Sequence, residues 1–339
     1  MAGLSLLVVN AGSTSLKLSV VGTDNDSTPV DSLADAPDVD AVVHRVVHGG
    51  PQLREPVLID DEVRAELQRA TELAPLHNRP ALEAIDRTRA ELPSLPQVAV
   101  VDTAFHATIP AEASTYAVPE RWREEWGIRR YGFHGLSVKW SAERVRVPRL
   151  VVCHLGGGCS VTAVLDGLSV DTTMGFTPLE GVPMATRPGS IDPEILLFLL
   201  RHGAESPESL EHALEHESGL FALGGSARVD QLQAADDAEA RLALGVFCYR
   251  VATAVGAMAA ALDGLDALVF TAGIGERSAF VRERVCERLG HLGVWLDAAV
   301  NAAARPDADV AAGGSDVRVW VVRAREDVVA ARAARPLLV

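Results

Sequence analysis

Short apolar runs that end in small or polar residues recur along the chain and predict its strands. Residues 4–9 form one such run and residues 16–21 form another, with a polar, glycine-containing turn between them. Two strands joined in this way are typical of a β-hairpin. The spacing of apolar and polar residues predicts further elements in the first half: strands at 39–47 and 97–103, helices at 60–74 and 80–91, and a polar loop or frayed edge at 23–40.

The second half repeats this plan. A buried strand at 149–155 runs into three glycines, and the segments 161–167 and 168–173 continue as a meander. The remaining predicted elements are helices at 192–203, 206–217, 237–263 and 326–334, a strand–helix unit at 267–289, and a strand at 318–322. A strand, a small-residue turn and a returning strand, followed by helices, thus occur twice. This order predicts two similar α/β domains that face each other across a cleft.

Composition limits the classes of partner. The chain has 339 residues, enough for about two domains, and carries 46 acidic against 31 basic residues, a net charge of −15. Because affinity for phosphate backbones and anionic lipids comes from clustered Lys and Arg, neither nucleic acid nor a membrane surface is an expected partner. The four cysteines lack metal-ligand spacing, and the start of the chain lacks a basic leader region. We therefore expect a soluble, cytoplasmic protein.

Three turns have the composition of phosphate-binding loops. In the segment 10–17, Ser13, Ser15 and Lys17 alternate by two and share a face, and Gly12 permits close approach to an anion. The glycine triplet 156–158 follows a buried strand, and the segment 271–276 links a strand to a helix start, which favours anions. Each segment is also typical of an ordinary turn, so none of them alone assigns a function.

A few charged residues stand where chemistry is expected. Asp102 ends a buried strand and is placed to bind Mg²⁺. Arg45 ends another strand and Arg187 lies in a loop rich in Pro and Gly, positions that suit binding of carboxylate or phosphate. His134 lies in a glycine-flanked loop and could donate to developing phosphoryl charge. For each of them, a surface or structural role is the simpler alternative.

Taken together, these segments resemble the acetate kinase (acetate/propionate kinase) family. The matching stretches occur in the family's order from residue 8 to about residue 277. They are VVNAGSTSLKLSV, HRVVHGG, APLHN, VDTAFHATIP, YGFHGLS, HLGGGCSV, DTTMGFTPLEGVPMATRPGSIDP and TAGIGER.

The resemblance implies a duplicated ribonuclease H-like α/β fold of the sugar kinase/Hsp70/actin type, with two domains and a central cleft. It places residues 1–103 and 325–339 in a shortened first domain and 104–324 in a nucleotide-side domain. It implies reversible, Mg²⁺-dependent (or Mn²⁺-dependent) phosphorylation of acetate or propionate by ATP, giving an acyl phosphate and ADP. The family is usually homodimeric, so a small carboxylate, a nucleotide and a second copy of the chain are the implied partners.

The resemblance also implies roles for particular residues. The catalytic residues would be Arg45, Asp102, His134 and Arg187, and the metal ligands would be Asp102 and Glu326. The phosphate and nucleotide residues would be Asn10, Ser13, Ser15, Lys17, His154, Gly156, Gly158, Gly273 and Gly275. The acyl pocket would be lined by Arg45, Val47, Leu76, Phe133 and Pro178.

The chain departs from the family pattern mainly on the adenosine side. Gly157 stands where the family has an amide side chain, Arg277 replaces an Asn, and the charges of Arg228 and Asp230 are exchanged relative to the family's S-x-D-x-R stretch. The segment between Asn10 and His44 is also shorter. These changes leave two alternatives open: a divergent enzyme with another phosphoryl donor, such as pyrophosphate or GTP, or another acyl acceptor; or a non-catalytic ligand-binding regulator on the same fold.

Overall fold

Two compact units make up the chain in a computed structural model that describes residues 3–11, 16–36, 38–73, 75–235 and 237–339. Unit 1 comprises residues 1–108, 117–140 and 325–339, and unit 2 comprises 109–116 and 141–324. Residues 104–108 and 117–140, placed in the second domain by the family resemblance, therefore lie in unit 1. One physical reason is that the rings of Tyr131 and Phe133 pack edge-on against His48.

Unit 1 is built on a mixed six-stranded sheet in the order β3-β2-β1-β4-β6-β5. Its strands are β1 (Leu6–Ala11), β2 (Leu16–Val21), β3 (Ser27–Val30), β4 (Ala41–Val46), β5 (Val57–Leu58) and β6 (Gln97–Val101). Strands β1, β4 and β6 are parallel, whereas β2, β3 and β5 pair antiparallel with their neighbours. The hairpin predicted at the start of the chain is confirmed, and β3 is an edge strand inside the segment predicted as a polar loop or frayed edge.

Unit 2 contains a second sheet with the same plan, in the order β9-β8-β7-β10-β12-β11. Its strands are β7 (Arg149–Leu155), β8 (Cys159–Leu165), β9 (Leu168–Thr172), β10 (Ala267–Thr271), β11 (Ala308–Asp309) and β12 (Arg318–Val321). Again three strands are parallel, β7, β10 and β12, and the other three pair antiparallel. Both order and direction repeat strand by strand, which confirms the predicted duplication of an α/β unit.

Helices follow the strands in both units. The first five are α1 (Asp61–Ala70), α2 (Pro75–Glu91), α3 (Ala111–Ser114), α4 (Glu120–Trp126) and α5 (Gly135–Val145). The next five are α6 (Pro193–Arg201), α7 (Pro207–His216), α8 (Gly219–Gly224), α9 (Val229–Ala235) and α10 (Ala238–Ala261). The last four are α11 (Ala272–Arg277), α12 (Ala279–Cys286), α13 (Ala298–Ala303) and α14 (Glu326–Ala334). Short 3-10 helices lie at Leu33–Asp35, Thr71–Leu73, Asp102–Thr108, Gly290–Leu292 and Arg335–Leu337.

The alternation of side chains along each strand sets the two faces of the unit 1 sheet. Leu6 and Val8 point to one face and pack in a core with helix α14, whereas Leu7 and Val9 point to the other face, into a core that includes helix α2. Burying apolar side chains on both faces is what stabilises a parallel sheet of this kind. At the end of β4, the same alternation puts Arg45 on the α14 face.

Helix α10 is the longest helix and a core element of unit 2. It packs against α8, α9, α12 and the sheet strands β7, β8 and β9. Its length and composition would allow it to cross a membrane, but half of its most apolar window is buried inside the protein. The core helix of a globular protein meets the same criteria, so the helix carries no membrane argument. The cysteines Cys153, Cys159, Cys248 and Cys286 are free and buried.

Candidate active site

Three polar side chains stand at the carboxyl ends of the parallel strands of unit 1. Asn10 lies near the end of β1, directly opposite Arg45 on β4, and Asp102 follows the last residue of β6. Side chains two residues apart along a strand point to the same face, so Asn10, Arg45 and Asp102 lie on the face that α14 covers. Helix α14 begins there with Glu326, so one edge of the sheet gathers four polar groups from distant parts of the chain.

Hydrogen bonds connect these four residues. Asn10 Nδ2 donates to Glu326 Oε2 at 3.2 Å, and Arg45 Nη1 donates to Asn10 Oδ1 at 3.3 Å. Arg45 Nη2 also forms an ion pair with Asp102 Oδ2. The side chain of Asp102 is fully buried and that of Arg45 is 12% exposed. Asn10, Arg45, Asp102 and Glu326, each predicted to be a site residue, therefore lie together as one cluster.

Burial and neighbouring charges set the electrostatics of this cluster. Burial raises the pKa of Asp102 to about 6; the Arg45 guanidinium opposes that shift and Glu326 adds to it. Burial disfavours the charged form of Arg45, but the carboxylates of Asp102 and Glu326 hold its pKa above its ordinary value. Asp102 Oδ1 is buried without a hydrogen-bond partner in the described part of the chain. An unpartnered buried carboxylate oxygen normally has a role, such as binding an ion.

The residues of this cluster fit a divalent metal of the Mg²⁺ type. Mg²⁺ prefers oxygen ligands and is usually held by one or two carboxylates together with waters and substrate phosphates. Asp102 and Glu326 supply two carboxylates near each other, and Asp102 Oδ1 is available as a ligand. Over the described ranges, no group of three or more His, Cys, Asp or Glu residues could form a complete protein cage for a metal.

His134 stands in a constrained loop just before helix α5. Its φ of 60° is unusual for a residue other than glycine, and Gly132 two residues earlier has a φ of 76°. A Cβ atom on Gly135 would collide with the backbone carbonyl of Asp102. Glycine at position 135 thus lets the start of α5 approach the carboxylate cluster closely. Strain of this kind is often found at functional sites.

Two of the predicted acyl-pocket residues of unit 1, Val47 and Phe133, are buried. Val47 is 4% exposed and Phe133 is 1% exposed. His48, next to Val47, packs against the Phe133 ring with 5.4 Å between centroids. Asn78 holds His48 by accepting from its backbone N–H at 3.1 Å and donating to its carbonyl at 2.8 Å. The sequence analysis did not single out His48 or Asn78, although both lie in stretches that match the family.

The first turn is only partly described. Lys17 is exposed and lies directly opposite Asn10 in the antiparallel pair β1–β2. Residues opposite each other in such a pair share a face, so Lys17 points to the same side as Asn10. Ser13 and Ser15 lie outside the described residues, as does the side chain of Leu76.

Arg187 and Pro178 lie in the long loop of unit 2 between β9 and α6. Arg187 Nε is 2.6 Å from Glu215 Oε2 in a largely buried ion pair. A Cβ on Gly219 would crowd the backbone of Arg187, so the loop is packed tightly at this point. Pro178 is buried, and near it the backbone N–H of Phe176 donates to the Tyr116 hydroxyl at 2.9 Å. The loop therefore presents Arg187 from a fixed backbone.

A cavity of about 540 Å³ in unit 2 lies beside the glycine turns predicted to bind nucleotide. It is lined by Gly156, Gly157, Ala227, Arg228, Val229, Asp230, Gln233, Gly273, Ile274, Arg277 and Ser278. Space is open around Gly157, where a Cβ would meet nothing within 4 Å. His154 Nε2 would lie 3.8 Å from a Cβ on Gly156. The glycine turns at 156–157 and 273 are thus brought together at one cavity.

Two predicted glycines have packing roles instead of lining that cavity. The Gly158 carbonyl accepts from the Gly156 N–H at 3.0 Å and closes the turn. A Cβ on Gly275 would lie 3.2 Å from the Phe270 backbone, so glycine lets α11 pack closely on β10. Neither is among the residues lining the cavity, and their predicted contact with nucleotide stays a prediction.

The departures from the family pattern concentrate at this cavity. Arg228 and Asp230 form a two-pronged ion pair, with Nε–Oδ1 at 3.1 Å and Nη2–Oδ2 at 2.5 Å. The hydrogen bond from Arg228 lowers the pKa of Asp230. The guanidinium of Arg277 lies against Gly273, since a Cβ there would be 2.8 Å from Arg277 Nη2. Two arginines therefore flank the cavity.

A buried arginine supports the helix that carries Gly273. Arg282 donates from Nη1 to the carbonyls of Gly275 at 2.8 Å and Glu276 at 3.0 Å. Its Nε donates to Asn301 Oδ1 at 2.7 Å and its Nη2 to the Asn301 carbonyl at 2.9 Å. These bonds satisfy carbonyls at the end of the short helix α11. The sequence analysis missed Arg282, because a charged residue within an exposed-looking helix gives no sign of burial.

Comparison with known proteins assigns the chain to a class. It matches the Acetokinase family over residues 30–332. It is 43% identical over 303 residues to the acetate kinase of Protochlamydia amoebophila, which covers 87% of this chain and 76% of that protein. With the acetate kinase of Gloeobacter violaceus it shares 46% identity over 313 residues, 88% and 77% of the two chains. Its fold superimposes on a propionate kinase from Francisella tularensis with a TM-score of 0.90, at 32% identity, over 97% and 98% of the chains.

The fold and these similarities define a two-unit α/β phosphotransferase. The chain belongs to the acetokinase family. Membership supports an enzyme that transfers a phosphoryl group to a carboxylate, with ATP or ADP as co-substrate and a divalent metal. It does not favour the non-catalytic alternative.

Proposed function

We propose that the chain is an Mg²⁺-dependent acetate kinase that reversibly transfers the γ-phosphoryl group of ATP to acetate, and less efficiently to propionate. The carboxylate cluster of unit 1 carries this proposal, since an arginine, an amide and two carboxylates meet there with one buried carboxylate oxygen unpartnered. Phosphoryl transfer requires positioning and charge neutralisation more than covalent chemistry from the protein.

Asp102 and Glu326 would hold Mg²⁺, whose charge would neutralise the phosphate oxygens during transfer. Arg45 keeps Asp102 oriented through their ion pair, and Asn10 orients Glu326 through its amide. The remaining guanidinium donors of Arg45 are suited to a carboxylate or phosphate. Mg²⁺ is the favoured ion because two carboxylates leave room for water and phosphate oxygens in an octahedral site.

The reaction itself needs no strong general base. A carboxylate oxygen of the substrate forms a bond to the γ-phosphorus while the bond from that phosphorus to the bridging oxygen breaks, and ADP leaves with the electron pair. His134, Arg187 and Lys17 are proposed to donate to the phosphoryl oxygens as charge develops. The constrained backbones of His134 and Arg187 support this, because a preorganised donor needs little reorganisation during the reaction.

The acyl group is proposed to be small. Val47 and Phe133 of unit 1 are buried side chains that we propose to line the acyl pocket. Leu76 and Pro178 are added to that pocket by the family resemblance only. One additional methylene changes discrimination by only about 1–3 kcal/mol. Acetate and propionate should therefore both be accepted, with acetate the more efficient substrate.

The nucleotide is proposed to occupy the 540 Å³ cavity of unit 2. Backbone N–H groups of the glycine turns would approach the phosphates. Arg228 and Arg277 are suited to the base because guanidinium planes stack on aromatic rings. ATP is the proposed donor. GTP and pyrophosphate are the other donors to compare, since the adenosine side departs from the family pattern.

A homodimer is proposed from the surface of unit 2. Helix α6 contains no buried residue although it is strongly apolar, and Phe198 on it is 52% exposed. Other exposed apolar side chains of unit 2 include Ile191, Ile195, Leu197, Leu200, Phe221 and Leu223. An exposed apolar surface of this kind is typical of a subunit interface. The free, buried cysteines support cytoplasmic placement.

The direct test traps acyl phosphate with hydroxylamine. The protein is incubated with Mg²⁺, a panel of short carboxylates, and ATP, GTP or pyrophosphate, and hydroxamate is measured. Acetate with ATP should give the highest kcat/KM. The variant Asp102→Asn should lose hydroxamate formation, whereas Asp86→Asn, at an exposed aspartate of unit 1, should retain it. Folded protein that forms no hydroxamate with any acid and donor would refute the proposal.

A further inference from the structure

Unit 2 contains a second and larger cavity, of about 750 Å³, between helices α9, α10 and α12. Its buried floor includes Leu232, Leu244 and Cys248, and Phe280 lines it from α12. Three arginines and one glutamate line the same cavity: Arg241, Arg284, Arg288 and Glu287. A concave site with an apolar floor and a few charged groups is the usual form of a small-molecule site.

A glycine keeps this cavity open. Gly245 lies within the 24-residue helix α10 and lines the cavity, and a Cβ there would meet nothing within 4 Å. Glycine inside a helix is less stable than alanine by about 0.5–1 kcal/mol. Neither packing nor a turn requires glycine at this position. Its effect is to leave space where any other side chain would enter the cavity.

The charge around this cavity is opposite to that of the whole chain. The protein has a net charge of −15, yet three arginines and only one carboxylate line this site. Arg284 Nη1 is 3.1 Å from Glu287 Oε2, and the Arg284 guanidinium lies over the Phe280 ring at 5.4 Å. Arg288 lies 5.2 Å from the centroid of the exposed Tyr249 ring. Exposed guanidinium groups beside an apolar floor complement an anion that has an apolar body.

We propose that this cavity binds a small organic anion with an aromatic or aliphatic body and a carboxylate, phosphate or sulfonate group. The apolar body packs on Leu244 and Phe280, and the anionic group is held by Arg284 and Arg288. The site is distinct from the proposed nucleotide cavity, with which it shares only Gln233. The proposal does not depend on the kinase activity, because none of its residues belongs to the proposed catalytic cluster.

The fluorescent anion 8-anilinonaphthalene-1-sulfonate is a suitable probe, since it has a flat apolar body and one sulfonate. We expect it to bind the folded protein with a saturable rise in fluorescence. Gly245→Leu should raise the Kd for the probe by about tenfold or more, because the new side chain fills the cavity. Gly256→Leu is the matched control. It makes the same change on the same helix, also in open space, but Gly256 does not line the cavity, so the Kd should stay unchanged.

A second pair of variants tests the charges. Arg284→Met/Arg288→Met should weaken binding by about tenfold or more, because charge-assisted hydrogen bonds are lost. Arg305→Met/Arg318→Met removes the same charge from exposed positions elsewhere in unit 2 and should leave the Kd unchanged. Thermal unfolding and hydroxamate formation confirm that each variant is folded.

Saturating ADP distinguishes the two cavities. Probe bound at the α9–α10–α12 cavity should remain bound in the presence of ADP. Displacement by ADP, or equal effects of Gly245→Leu and Gly256→Leu, would overturn the proposal of a separate anion site. An equal loss of probe binding in the two double arginine variants would also overturn the proposal, because net charge alone would then explain the effect.

Discussion

The two units have the same sheet but different residues at the ends of its parallel strands. In unit 1, Asn10 is paired with Arg45 in the register of β1 and β4, whereas in unit 2 the corresponding pair is His154 and Thr271. Asp102 follows β6 in unit 1, and the apolar Val322 follows β12 in unit 2. The duplicated scaffold thus carries an ionic cluster in one unit, and a histidine, a threonine and a valine beside glycine turns in the other. The strand order has stayed the same while the residues at the strand ends have diverged, as expected when function depends on a site and not on a fold.

The largest effect is expected from breaking the ionic cluster of unit 1. Arg45→Met leaves the buried carboxylate of Asp102 without its cation, so hydroxamate formation should fall by about a thousandfold or more. The free energy of unfolding should fall by about 3–5 kcal/mol. Arg64→Met, at an exposed ion pair with Asp86, should change stability by only about 0–1 kcal/mol. A similar loss of stability in Arg45→Met and Arg64→Met would show that burial does not determine how much an ion pair contributes to stability here.

The second prediction concerns the buried arginine of unit 2, whose partners are neutral. Arg282→Met leaves carbonyls of Gly275, Glu276 and Asn301 without their donor, and should lower the free energy of unfolding by about 3 kcal/mol. Urea denaturation measures this change. Because Arg282 supports α11, the KM for ATP should rise more than kcat falls. Arg282→Lys should recover part of the stability, and an unchanged denaturation midpoint in Arg282→Met would contradict the assignment.

The third prediction uses a titratable group that unit 1 has and unit 2 lacks. His44 on β4 corresponds to Phe270 on β10, and burial lowers the pKa of His44 to about 4, while a hydrogen bond to Gln97 opposes the shift. The unfolded imidazole binds a proton near pH 6.5 and the native one only near pH 4. His44 alone should therefore lower the free energy of unfolding by about 3 kcal/mol as the pH drops from 6.5 to 4.

The control for this pH effect is His44→Gln, which keeps a polar side chain but does not titrate. Denaturation curves at several pH values should show a weaker acid dependence between pH 6.5 and 4 in this variant than in the parent. If the two curves have the same slope in this range, His44 is not the source of the acid sensitivity.

The smallest effect is expected at Thr271, the position in unit 2 that corresponds to Arg45. Its hydroxyl oxygen is buried with no hydrogen-bond partner in the part of the chain that the structure describes. Replacing an unsatisfied hydroxyl by a methyl group of similar shape is nearly neutral. Thr271→Val should change the midpoint of thermal unfolding little. A large loss of stability would show that the hydroxyl is satisfied in the folded protein.

The repeated order of strands could be predicted from the sequence, because apolar runs bounded by glycine turns are a local signal for strands. It missed α4, α8 and α9, which are only six or seven residues long and offer too few turns for a clear period. It also missed α5, whose start depends on the close approach of Gly135 to Asp102. β3 escaped prediction as a strand because a polar edge strand with Pro29 has the composition of a loop.

The candidate site could be predicted only in part, because its residues come from distant parts of the chain. Asn10 and Glu326 are far apart in the sequence, and no periodicity brings them together; only the resemblance to a family did. The buried roles of His48, Asn78 and Arg282 depend on tertiary contacts. Polar residues in such positions look exposed in the sequence, because their partners are supplied by backbone from other elements.

Helix α14 has a consequence for the order in which the protein matures. Val328, Val329 and Ala331 fill one face of the first sheet, and Glu326 at the start of the same helix completes the carboxylate cluster. These residues follow strands β1 to β12 in the sequence, so they leave the ribosome after the strands that they cover. One face of the unit 1 sheet therefore stays uncovered until helix α14 is synthesised, although chains generally fold in the order of synthesis. The closing of the first core and the completion of the carboxylate cluster then occur together, when helix α14 docks.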